Sequence, residues 1–464
     1  MRRVWLFPEL ALALCAAGCA ASGSRAADGG PRPVDGGMDG SAGADRSHGQ
    51  AGAGGTGGGD QGGHSGAAGD SGSQGSGGQA GIAGRGGASG SSGGAGANGV
   101  AGQSGTGGRG LGGSPGFVHP GILHGAGDLN RMKQMVAAKT EPYWAGYQVL
   151  EANTFSSATY TMAGPFAETG RNPDVNKNAI ENDVDAAYQN AVMWAITGDP
   201  SHAAKAIEIL NAWSSTLTAI TGSDAILAAS LDGFKLANAA EIIRYTNAGW
   251  SGSDVTAAEN LFKTVFYPVI QNFAPFANGN WTAGCIKAML AFGIFTDDEA
   301  MFSRAINWIE NGTDDGALTN YVINTEGQCQ ESGRDQTHAQ LGLGNLAEAS
   351  ETAWHQEVDL YGLTANRLLA GFEYTASYNL GNTVPFQSFT DTTGKYPQTA
   401  ISPIDRGQFR PIYEMVYNHY QNRRGLACPY TQQVAAKLRP EGAWPNADHP
   451  GFGTLLFTMP AGSP

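Results

Sequence analysis

Positive charge is scarce in this chain. Its 464 residues carry 27 Lys and Arg against 41 Asp and Glu, a formal net charge of −14, and no basic stripe runs along any part of it. A protein that neutralises nucleic-acid phosphates needs such a stripe, so nucleic acid is excluded as a partner. A polyanionic ligand would have to be met by a few local cations. Cysteine is scarcer still, with five in all, and no Cys-x-x-Cys pair or other metal-ligand spacing occurs, which argues against structural zinc. No metal or cofactor is expected. Strand-like alternation is rare before the last thirty residues, so a sheet-based fold is not expected.

What is present falls into three populations. Residues 1–18 open with Arg2 and Arg3, continue through an apolar run from Val4 to Ala17 broken only by Pro8 and Glu9, and close on small residues. That is the layout of a secretory signal, too short and poorly flanked for a lasting membrane span. The ending Ala16-Ala17-Gly18-Cys19 resembles a bacterial lipobox, which predicts acylation at Cys19 and attachment to the bacterial outer membrane or cell surface; an ordinary cleaved signal is the plainer alternative. From residue 19 to 116 the chain is dominated by Gly, Ser and Ala, with more than half of its 70 glycines. Such a segment cannot bury enough apolar surface to offset chain entropy and is expected to be a disordered tether with a span of roughly 50–60 Å. Glycine has no three-residue period there, which excludes collagen.

Residues 117–464 hold the aromatic and aliphatic content of one folded domain, expected to be a monomer. Its three cysteines, Cys285, Cys329 and Cys428, allow one disulfide and one free thiol. The segment reads as successive amphipathic helices. Asp199-Pro200 gives an N-cap with proline at the first helical position, followed by Ala203, Ile207, Leu210 and Trp213 at helical spacing. Val184, Tyr188, Val192 and Ala195 repeat the pattern behind Asn182-Asp183, so two helices meet at a short turn. Asp254 and Asp297 are read as further caps, and helices are expected over 281–295, 335–356, 360–378 and 409–421. Paired helices without a fixed period fit an all-α fold, an α/α toroid or an irregular solenoid. Two long non-helical stretches, 311–334 and 381–408, are polar and aromatic, and are expected to carry function.

The densest chemical signal is Gln328-Cys329-Gln330-Glu331-Ser332-Gly333-Arg334-Asp335-Gln336-Thr337-His338. Glu331, Arg334 and His338, spaced three and four apart, would share one helix face, and a carboxylate beside a guanidinium and an imidazole suits proton transfer. A solvated salt-bridge face is the bland alternative. The second signal is Asn278-Gly279-Asn280-Trp281 at a helix start, where asparagine either caps the helix or aims an amide at a ligand beside an aromatic platform. Asp314-Asp315 reads as a solvated turn rather than a calcium site, and His449 as structural rather than groove-lining. Trp194, Trp213 and Trp308 lie at core spacings.

Taken together, Asn-Gly-Asn-Trp at 278–281, Gln-Glu-Ser-Gly-Arg-Asp-Gln-Thr-His at 330–338 and Gly-Phe-Glu-Tyr at 371–374 resemble the alginate lyase superfamily of bacterial polysaccharide lyases. The opening His119-Pro120-Gly121-Ile122-Leu123 and the Ala-Ile-Thr-Gly-Asp turn at 195–199 fit too. The resemblance implies an incomplete α/α toroid of helical hairpins that cleaves a uronic-acid polymer such as alginate or glucuronan by β-elimination. Asn280 and Arg334 match the residues that neutralise the uronate carboxylate, and His338 the base or a second neutraliser. Asn278, Trp281, Gln330, Glu331, Arg406 and Arg410 are then expected to contact the substrate. For the tyrosine that protonates the leaving oxygen, Tyr396 in the second long stretch is favoured over Tyr321 and Tyr413, the last of which sits at core spacing. The Asn-Asn-His-Ser-Tyr-Trp string of the best-known alginate lyases is missing, so the polymer is not named by the motifs. Two other classes stand beside the lyase: an inverting glycoside hydrolase on a helical barrel, which needs a second carboxylate that does not stand out, and a non-catalytic surface glycan-binding protein.

Overall fold

The computed structural model describes residues 116–444 and 448–463. The expected signal segment, the attachment site at Cys19 and nearly all of the tether lie outside these residues. Four helices, Lys177–Thr197, Ala225–Tyr245, Gly279–Phe295 and Gln336–Trp354, pack each on the next and form an inner layer. Their buried positions run almost all round the helix rather than along one stripe, the pattern of a helix enclosed on every side. Facing positions advance together. Lys287 lies over the Phe234 ring, the Asn280 carbonyl accepts from Asn345 Nδ2, and further along Lys287 pairs with Glu348. The inner helices are therefore parallel and start at one end of the domain.

An outer helix returns the chain after each inner one: Pro200–Thr216, Gly252–Leu261 with its continuation to Ile270, Glu299–Asn311 and Leu363–Asn379. Glu299–Asn311 shows the outer pattern, burying only Met301, Phe302, Ala305 and Ile309. The result is the incomplete α/α toroid. The opening segment is locked to it, since the His119 ring meets Glu241 and Asp297 while Gly121 N–H donates to Glu241.

Several local expectations change. Asp199 caps as expected, accepting from Ser201 N–H. Asp254 lies inside its helix, and Ser251 is the cap that accepts from the Asp254 N–H. Asp298 rather than Asp297 caps the following helix; Asp297 sits at φ 53° in the turn before it. The first inner helix begins at Lys177, ahead of Asn182-Asp183. Strands appear not near the C-terminus but as short pairs, Glu168–Gly170 parallel to Ala219–Thr221 and Phe389–Thr390 antiparallel to Pro397–Gln398. Cys285, Cys329 and Cys428 are all free and buried, so the possible disulfide is not formed. Asp314 and Asp315 form no solvated turn. Both are buried, Asp314 accepting from Thr282 and Trp308, Asp315 from Thr392.

One buried carboxyl gives a stability prediction. Glu441 accepts from Gly453 N–H through Oε1 at 2.7 Å, while Oε2 has no partner among the described residues. Burial pushes it from 4.5 up to about 8. The folded state then holds a proton that the unfolded state releases across that window, so this group's contribution is full below pH 4.5 and lost as pH rises through about 8. Glu441→Gln, which cannot ionise, should gain stability over the parent by roughly 2–4 kcal/mol between those limits. Paired thermal melts across that range check it.

Candidate active site

The inner helices Gly279–Phe295 and Gln336–Trp354 bring the two sequence motifs together at their N-terminal ends. Gln330 ties them, its Nε2 donating to Asn278 Oδ1 and its Oε1 accepting from Gly279 N–H, both at 3.1 Å. Asn278 holds the N-cap position, but its side chain makes no cap bond. Next along the chain, Glu331 is fully buried and accepts from three side chains: Asn280 Nδ2 at 2.7 and 3.0 Å, Tyr321 Oη at 3.1 Å and Arg334 Nη1 at 2.9 Å. A buried carboxylate so engaged is an anchor that orients its donors rather than a proton carrier.

The Glu331–Arg334 stretch is a turn and not the first turn of the helix, which starts at Gln336. The three residues still meet, because the turn folds Arg334 back between Glu331 and His338. Arg334 Nη2 lies 3.2 Å from His338 Nε2, and His338 Nδ1 lies 2.6 Å from Asp335 Oδ2. Burial pushes the Asp335 carboxyl up, but the side-chain hydrogen bond of His338, the charge that ring carries when protonated, the His338 backbone N–H and the Arg334 guanidinium outweigh it, holding the group below its usual range. An ionised Asp335 accepts the Nδ1 proton. Nε2 is then a lone pair facing an Arg334 N–H, which is the neutral tautomer oriented as a base. Arg334 and His338 are 29% and 30% exposed along their side chains, so this edge of the cluster reaches solvent. Glu331 and Asp335 both lie within 3.7 Å of the one guanidinium. Attraction for an anion here is thus directional more than a matter of net charge.

Asp335 was missed as a functional residue although its signal was legible. An Asp directly before a helical run, three residues ahead of a histidine, can cap the helix and hold the ring at once. It does both, its Oδ1 accepting from His338 N–H at 2.7 Å. Asp335→Asn keeps the cap, since Asn serves equally there, but presents an amide to the ring and favours the wrong tautomer. Turnover should fall by roughly one to two orders of magnitude with the thermal midpoint nearly unchanged. Steady-state kinetics beside a melting curve separate the two effects.

Asn280 Nδ2 is committed to Glu331, and its Oδ1 is buried without a partner among the described residues. The amide expected to neutralise a uronate is thus turned inward, and Arg334 is left as the accessible donor. Of the three tyrosines, Tyr321 and Tyr413 are both 0% exposed. Tyr321 braces Glu331 and the His338 and Ala339 carbonyls, its ring fitting where a Cβ on Gly342 would come within 2.1 Å. Tyr413 bonds Gln340. Tyr396 is half-buried, and its hydroxyl bonds no described residue. Its hairpin is pinned beside the cluster. Gln398 donates to the Gln330 carbonyl and accepts from Gly333 N–H, each at 2.7 Å, while Lys395 reaches the Phe276 carbonyl. Phe276 packs edge-on against Trp281, which is itself partly buried against a small cluster of Leu227, Leu231 and Leu341 apart from the main core.

The remaining candidates are held elsewhere. Arg406 stacks on Tyr378 and donates to the Tyr378 and Asn382 carbonyls. Arg410 is buried, paired with Asp448 at 2.6 Å and bonded to the Thr337 carbonyl. His449 is buried against Glu348, which also holds Lys287. Trp213 is fully buried, while Trp194 and Trp308 are partly so. Among the described residues no group of His, Cys, Asp and Glu is placed to hold a metal ion.

Comparison with known proteins adds the lineage. No curated protein sequence matches the chain. The alginate lyase family model matches residues 135–386. A variant of alginate lyase A1-III complexed with a tetrasaccharide shares the fold at 15% identity and a TM-score of 0.54, over 72% of this chain and 94% of that one. Alginate lyase A1-III from Sphingomonas species A1 does so at 12% identity and a TM-score of 0.52, over 72% and 95%. With the family model covering more than half of its length, and the motif residues gathered at one end of an α/α toroid, the chain belongs to the alginate lyase family and is a polysaccharide lyase.

Proposed function

We propose that the protein cleaves a uronic-acid polymer by β-elimination, with His338 as base, Arg334 as the group that neutralises the uronate carboxylate, and Tyr396 as the acid. The observation that carries this reading is the chain Asp335–His338–Arg334, a neutral imidazole oriented by a carboxylate with its free nitrogen beside an accessible guanidinium. The C5 proton of a uronate lies next to a carboxylate whose charge makes a carbanion costly, so elimination needs that charge met where it grows. An incoming carboxylate is a stronger acceptor for Arg334 than the imidazole, and by drawing the guanidinium away it frees His338 Nε2 to take the C5 proton. The electron pair forms the C4–C5 double bond, the bond from C4 to O4 breaks, and O4 takes the Tyr396 hydroxyl proton. Asn280 and Glu331 hold Arg334 in place, and Trp281 offers a face for a sugar ring.

The hydrolase reading loses its one candidate carboxylate, since Glu331 is buried under three donors. Export and attachment through Cys19 remain proposals carried by the lipobox-like junction. Incubation with alginate, glucuronan, pectate and glycosaminoglycans, followed by ultraviolet absorbance of the unsaturated product, tests the function. At least one uronan should yield absorbance at a rate that Arg334→Ala strongly lowers, and reducing ends without absorbance would reject it. Tyr396→Phe should lower kcat by about 10²–10⁴ with little change in KM, and near-normal turnover would remove Tyr396 from the mechanism.

A further inference from the structure

Asp314 and Asp315 are buried and take no part in the proton transfers at His338 and Tyr396. They follow the outer helix Glu299–Asn311 and precede the short helix Leu318–Tyr321, which ends on the tyrosine that braces Glu331. Asp314 fixes this connection to the inner helix Gly279–Phe295: its Oδ2 accepts from Thr282 Oγ1 at 2.5 Å and its Oδ1 from Gly316 N–H at 3.2 Å. The Asp315 carbonyl then rests on Gly279, where an added Cβ would come within 2.2 Å of it. Asp315 is thus held against the helix end that carries Asn278 and Asn280.

Both oxygens of its carboxylate go to one residue of the Tyr396 hairpin. Oδ1 accepts from Thr392 N–H at 2.9 Å and Oδ2 from Thr392 Oγ1 at 3.0 Å. Beside Thr392, Asp391 closes the turn. Its Oδ1 accepts from Tyr396 N–H at 2.6 Å, its Oδ2 from Thr393 N–H at 2.9 Å, and its carbonyl from Gly394 N–H at 3.0 Å. Gln398 secures the strand behind to Gln330 and Gly333, so losing Asp315 would free the tip of the hairpin and leave its base attached. The arrangement carries a cost. Asp315 is 1% exposed and no cation pairs with it among the described residues; burial lifts its carboxyl to about 6 against the pull of the two Thr392 donors, with the charges of Asp391 and Asp314 adding to the rise. A buried carboxylate without a cation weakens a fold, and local costs of this kind are found where a position matters to function.

We infer that Asp315 is a positioning residue for the acid: by holding Thr392 it sets where the Tyr396 hydroxyl meets O4. Asp315 touches neither substrate nor reacting atoms, so this role rests on Tyr396 being the acid. Displacing a reacting group by about 1 Å can cost on the order of 10² in rate. On the uronan that the parent cleaves, Asp315→Ala should lower kcat by about 10- to 100-fold with KM nearly unchanged. Asp315→Asn, whose amide can accept from the Thr392 N–H and donate to its hydroxyl, should keep kcat within about threefold of the parent. Thr392 is exposed, so Thr392→Val tests the same contact if the alanine variant does not fold, and should lower kcat by roughly two- to fivefold with the thermal midpoint unmoved. The double variant separates positioning from general support. In a Tyr396→Phe background Asp315→Ala, or Thr392→Val in its place, should cost less than about threefold more, because the group it places is gone. Losses that multiply in the double variant, no rescue by Asp315→Asn, or kcat unchanged by both Asp315→Ala and Thr392→Val overturn the positioning role and leave Tyr396 as the acid. Near-normal turnover by Tyr396→Phe alone is the separate failure, which removes the acid and this role with it.

Discussion

His338→Ala should lower kcat by about 10²–10⁴ while KM moves little, because the imidazole enters as a base only when the C5 proton leaves. The fold should tolerate the change. The side chain is part-exposed, and the helix keeps its cap through Asp335 and the residue-338 backbone N–H. Initial rates of unsaturated product, with a melting curve as control, read both. A variant that loses affinity but not turnover would make His338 a binding residue.

Arg334→Ala should damage both kinetic parameters, lowering kcat by about 10²–10³ and raising KM as well. The guanidinium serves twice. It meets the ground-state carboxylate of the polymer, and it meets the charge that grows as the proton departs. Its loss also leaves Glu331, buried with Asn280 and Tyr321, without the one cation that pairs with it among the described residues, so some stability should go with it. Arg334→Lys keeps the charge but not the planar fork that spans Glu331 and His338. Intermediate activity with restored stability is the expected result, which separates the catalytic part of the loss from the structural part.

The fold class was legible because helical periodicity and cap residues are local signals. Asp199-Pro200 shows this, where cap and proline sit as the sequence suggests. Boundaries were harder wherever two acidic or hydroxyl residues compete for one cap, as at Ser251 against Asp254 and Asp298 against Asp297. The cluster at Glu331, Arg334 and His338 was found for an incomplete reason. Helical spacing suggested a shared face, whereas a turn folds the residues together. What spacing cannot show is which hydrogen bonds are already taken. Asn280 looked like an amide for the substrate and is instead spent on Glu331; Arg406 and Arg410 looked like cations for a polyanion and are held by backbone carbonyls and Asp448. Those partners lie tens of residues away in sequence, beyond any local pattern.

The central claim is that the glycosidic bond is broken by elimination. Digestion of the uronan that the protein cleaves, run in heavy-oxygen water and followed by mass spectrometry, tests it most directly. The account predicts product pairs whose masses sum to that of the parent chain, with no heavy oxygen incorporated and one fragment ending in an unsaturated uronate. Products heavier by one water, with the label at the newly formed end, would contradict it and show hydrolysis instead.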